Sequence, residues 1–104
     1  MPHSTQKLLG AALRAIWETG HSFGQKAIES LTERVPGASA AEYADACLRA
    51  AELDAAAFAL ADAWFDNRGK GPYPSVSELR ARLPGFDDAD YVEAINKNVI
   101  WARK

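Results

Sequence analysis

Apolar residues recur along this chain at spacings of three and four, the period of one helix face, and no stretch alternates for long enough to make a strand. Leu9, Ala12, Leu13 and Ile16 form the first such face. Ser4 or Thr5 can cap it, and it runs to Thr19 with Gly20 as terminator. Ser22 with Gln25 reads as a capping box for a second helix, in which Phe23, Ala27, Ile28, Leu31 and Val35 recur until Pro36 and Gly37. Ser39 with Glu42 opens a third helix that meets no breaker before Asn67 and Gly69. It is the longest element, roughly 26 to 28 residues or about 40 Å. The segment "NRGKGPYP" must be a loop, residues 67–74. A short fourth helix runs from Ser75 to Leu83, and a fifth begins at Asp87 with Tyr91, Val92, Ile95, Val99 and Ala102 on one face. The pattern predicts an all-α fold: a compact bundle of about five helices, one domain over residues 1–104, built round the long third helix.

At 100° per residue, Tyr43, Cys47, Ala50, Ala57, Phe58, Ala61 and Phe65 share one sector of the third helix, flanked by Leu53, Leu60 and Trp64. Glu42, Asp45, Arg49, Glu52 and Asp66 lie opposite. So wide an apolar arc predicts a central helix, and its alanines allow neighbouring backbones to approach closely.

Two stretches, "LTERVPGASAAEYADAC" from Leu31 and "LRARLPGFDDADYVEAI" from Leu79, overlay without a gap. Leu, Arg, Pro, Gly, Ala, Tyr and Ala coincide. Most of these have a role in stopping one helix and starting the next. Pro36 and Pro84 cannot continue a helix, and Gly37 and Gly85 free the backbone to turn. Ser39 and Asp87 are N-caps with acids three residues on, and Tyr43 and Tyr91 fall at the fourth helical position, where a residue staples back across the cap. The repeat thus defines two helix-PG-helix units, 22–66 and 75–103. Arg34 and Arg82 have no role in this scheme. They are expected either to fold back on the acidic start of the following helix or to point together into solvent.

Composition adds limits. With 48% hydrophobic and 25% charged residues the chain is neither disordered nor fibrous. Its single cysteine, Cys47, excludes an intramolecular disulfide and suits a reducing cytosol. Lys7, Gly10 and Arg14 interrupt the apolar start, so neither a leader nor a membrane span is expected. The formal charge is −2. The middle third is acidic and the last third mildly basic, a distribution unlike the basic stripe of most nucleic-acid binders.

Asp54 is the residue that fits its surroundings least. It falls inside the apolar sector, where an unpaired carboxylate is costly, so a pairing role is expected, with Arg14, His21 or the basic loop as partner. A general base is the sharper alternative. His3, His21 and Cys47 lack metal-ligand spacing, and Cys47 lies on the core side of its helix. No metal, cofactor or catalytic set is expected. The loop residues Arg68, Lys70 and Tyr73 lack the ordered glycines of a phosphate loop. At the C-terminal end "VIWARK" places Ile100 and Trp101 off the core stripe beside Arg103 and Lys104, the composition of a protein contact.

These readings point to a small cytosolic protein-interaction module, a regulator, adaptor or inhibitor, binding through Trp101, Ile100, Tyr73 and Arg103 or through the acidic side of the third helix. A homodimer through Ile100 and Trp101 is its simplest form. The alternative is a helix-turn-helix-like nucleic-acid binder relying on Arg80, Arg82, Lys97, Arg103 and Lys104. The helices after each corner open "SAAEYAD" and "DDADYVE", however, and would present carboxylates to phosphates.

Overall fold

The computed structural model describes residues 5–19, 25–68, 70 and 73–102. These form five helices and no strand: α1 (Thr5–Glu18), α2 (Gln25–Arg34), α3 (Ala40–Asp66), α4 (Val76–Arg82) and α5 (Asp88–Ala102). The expected caps Ser4 and Ser22, with Gly20, His21 and Phe23, lie outside the described residues. Ser39 is an N-cap as read: its hydroxyl accepts from the Glu42 N–H, and the Glu42 carboxylate accepts from the Ser39 N–H in return. Ser75 accepts from the Glu78 N–H at 3.4 Å. At the start of α5 the return bond is made by Asp90, whose carboxylate accepts the Asp87 N–H.

α3 is the central helix, touching each of the other four. Its buried residues are Tyr43, Ala46, Cys47, Ala50, Leu53, Asp54, Ala57 and Ala61, so alanine supplies half of that face and its neighbours pack close. α1 and α5 run alongside it in the same direction, and α2 and α4 return. Leu8, Leu9, Ala12, Leu13, Ala15 and Ile16 of α1 are all buried. Both PG corners lie where α1 and α5 begin: Val35 shares a groove with Gly10 and Ala89, and Leu9 reaches to within 3.1 Å of where a Cβ on Gly85 would stand.

The repeated stretches share a geometry that cap rules did not foresee. The Tyr43 hydroxyl donates to the Val35 carbonyl at 2.8 Å and accepts the Ala38 N–H at 3.2 Å. The Tyr91 hydroxyl donates to the Leu83 carbonyl at 2.7 Å and accepts the Phe86 N–H at 3.3 Å. Each tyrosine therefore clamps the carbonyl just past the end of one helix and the turn that follows it. Gly37 and Gly85 take φ of 100° and 108°, a region that side chains disfavour. Leu31 and Leu79 are fully buried, as are Tyr91 and Ala94, and Tyr43 and Ala46 nearly so. The coincidence of Ala46 with Ala94 is thus one buried position occurring twice. Arg34 and Arg82 diverge: Arg34 pairs with Glu18 of α1, Arg82 with Glu78 one turn back on α4. Neither folds onto the following helix, and they do not form a pair.

Two positions depart from the helical wheels. Phe58 and Val92, both placed on core faces, are 44% and 46% exposed. Each stands at the edge of its apolar arc, and the helices packed on that arc leave the edge uncovered.

Candidate functional site

Asp54 is buried at the level where α1, α3 and α5 meet. Its Oδ1 accepts from the Trp17 indole N–H and from the Asn98 side-chain amide, both at 2.9 Å. The same Asn98 amide donates to the Ala94 carbonyl. Two neutral donors of fixed direction thus hold the carboxylate from two helices, which fixes how α1 and α5 sit along α3. Of the expected partners, Arg14 is committed elsewhere and His21 lies outside the described residues. Trp17 is held on its other side by Lys97, whose Nζ stands 5.1 Å from the ring centroid.

Arg14 turns instead to Asp90. Its Nη1 donates to the Asp90 carboxylate at 2.8 Å and to the Gly10 carbonyl at 3.0 Å, with Glu93 3.7 Å from its other arm. This hydrogen bond and the surrounding carboxylates raise the Arg14 pKa above its ordinary value. The pair sits in a groove of about 530 Å³ shared with Gln6, Lys7 and Arg34. Its three cations outnumber Asp87 and Asp90 by one, but Arg14 is bound to Asp90 and Arg34 to Glu18. Cys47 is buried, and desolvation pushes its thiol pKa up, the reverse of what activates a nucleophile. Among the described residues no group of His, Cys, Asp and Glu is placed to hold a metal. No described helix is long and apolar enough to cross a membrane.

Of the residues expected to meet a partner, Trp101 and Arg103 have no described side chains. Ile100 is 58% exposed, and Tyr73 packs edge-on against Trp64 with its ring half exposed. Arg80 is tied to Asp88, Arg82 to Glu78, and Lys97 lies over Trp17.

The acidic side of α3 was expected as a contact surface, but the apolar row beside it was not. Ala41, Ala44, Leu48, Ala51, Ala55 and Phe58 follow one another at spacings of 3, 4, 3, 4 and 3. This is the a and d rhythm of a helix that packs against another helix. All are exposed except the half-buried Ala51, and Leu48 at 60% is the most exposed large apolar residue described. The signal was present, but the buried arc that adjoins this row at Phe58 carries the larger share of the apolar residues and dominates the wheel. Along α3 as a whole five exposed carboxylates, Glu42, Asp45, Glu52, Asp62 and Asp66, accompany one exposed cation, Arg49, which pairs with Asp45 at 3.1 Å.

α3 also outreaches α5. Beyond Asp54 it continues for about 18 Å, whereas α5 continues for about 6 Å beyond Asn98. The overhang ends in Trp64, Phe65 and Tyr73, whose rings meet edge to face.

No protein-family model, no curated protein and no solved structure matches this chain.

Proposed function

We infer that this protein is a small interaction module of a reducing compartment, a regulator, adaptor or inhibitor that works by docking another protein on α3. The observation that carries this reading is the exposed a/d seam centred on Leu48 and Phe58. A helix needs apolar residues on the side that faces its own core. A second row with helix-packing rhythm beside it leaves leucine and phenylalanine about half exposed to water, forgoing part of the about 1.5–3 kcal/mol that full burial of each would bring. A partner helix would recover that energy. The buried polar contacts support the same reading, because Asp54, Trp17 and Asn98 are spent on one another and hold α3 in place as a rigid platform.

A second reading rests on Ile100, exposed near the end of α5. There the contact would be with another copy of the chain. Sedimentation velocity over a range of concentrations, combined with affinity capture by wild type, Leu48→Glu and Ile100→Glu, separates the two. Docking on α3 predicts a chain that stays monomeric and loses its captured partner only in Leu48→Glu. Self-association abolished by Ile100→Glu, with capture indifferent to Leu48, would replace it by the dimer.

A further inference from the structure

We propose that the occupant of the α3 seam is an amphipathic helix whose apolar ridge is flanked by lysine and arginine. The inference rests on the reading of α3 as a docking face and adds the chemistry of the partner. Three features of the surface determine it. The first is rhythm: positions at alternating spacings of 3 and 4 match a straight helix crossing at a shallow angle, and an extended segment would present its side chains with period two. The second is size. Four of the six seam residues are alanine, so the seam supplies holes, and the large side chains must come from the other side, leucine, isoleucine or methionine seated around Leu48 and Phe58.

The third feature is charge. Asp45 and Glu52 stand one residue after Ala44 and Ala51, in the flanking row that sets partner choice in paired helices, and Asp66 continues that row. Asp62 takes the next seam position beyond Phe58. The single exposed cation of the helix, Arg49, is already paired with Asp45. A basic helix would therefore still meet Glu52, Asp62 and Asp66, along about 21 Å of α3. An antiparallel second copy would set the Asp45, Glu52 and Asp66 row against its own like charges, which disfavours self-pairing on this face.

The test uses the full chain and three synthetic helical peptides that share leucine at a and d and carry Lys/Arg, Gln or Glu in the flanking positions. Binding is read by calorimetry in moderate salt. The expected order is basic above neutral above acidic, with about tenfold or more between the first and last. Leu48→Glu should remove binding while leaving the helical circular dichroism intact. Glu52→Lys should narrow or invert the order. Glu29→Lys makes the same change of net charge on the exposed surface of α2 and should leave the order unchanged. Equal binding of all three peptides, abolished by Leu48→Glu, would overturn the basic partner and keep the docking face. Glu29→Lys acting as strongly as Glu52→Lys would overturn the proposal, because the preference would then come from overall charge. So would failure of every peptide to bind, a result that leaves the capture and sedimentation experiment to decide whether α3 docks anything.

Discussion

Gly10 shows how much one missing side chain accomplishes. A Cβ there would lie 2.7 Å from the Asp90 Oδ2, inside any tolerable contact. Asp90 is 4% exposed and is held by Arg14 and by the Asp87 N–H, so it has little room to swing away. In an isolated helix Gly10→Ala would gain about 1 kcal/mol. Here the methyl must part α1 from α5 or break the Arg14–Asp90 pair, and the net effect is expected to be a loss of about 1–3 kcal/mol. Urea unfolding checks it: a lower midpoint is predicted, and a higher one would show that Asp90 yields freely. Asp54 teaches the complementary lesson. Its burial was legible because a carboxylate stood among alanines, but Trp17 and Asn98 as its partners were not. Trp17 and Asn98 lie 37 and 44 residues away, and neither carries the charge by which a partner for an acid is normally sought. Asn98 left one trace, a polar residue on the face that also holds Tyr91, Ala94 and Ile95.

At the scale of the element, the two PG corners were readable because stops and caps are local: proline, glycine, and a Ser or Asp with an acid three residues later fix them within a few positions. The tyrosine clamp was less readable. A tyrosine one turn into a helix looks like a hydrophobic staple, and only in the fold does its hydroxyl reach back eight residues. Phe86 does staple to Tyr91, their rings meeting edge to face with centroids 5.7 Å apart, whereas Ala38 offers Tyr43 little more than its N–H. Tyr43→Phe and Tyr91→Phe each strand one carbonyl and one N–H at a corner. Each is expected to cost about 1–2 kcal/mol in equilibrium urea unfolding, and by similar amounts, since the same two bonds are lost. A loss confined to one of them would mean that the corners are not equivalent and that the repeat is shared sequence without shared mechanics.

For the molecule as a whole, five helices of the right order and length followed from periodicity, since a core-facing arc repeats over many residues and averages out local noise. Which parts of each arc remain uncovered did not follow, because that depends on where neighbouring helices end. Phe58 and Val92 are both residues of this kind. α3 is long enough to serve its own core on one side and to present Leu48 and an acidic margin on the other, while α1, α2, α4 and α5 are spent on holding it. That division of labour is the basis for reading the chain as a docking platform. It is tested most directly by placing a photoactivatable cross-linking residue at position 48, with position 29 on α2 as control, in cells that naturally make the protein. The account predicts one discrete heavier adduct from position 48, containing a second protein, and none from position 29; no adduct at position 48, or the same adducts from both positions, would contradict it.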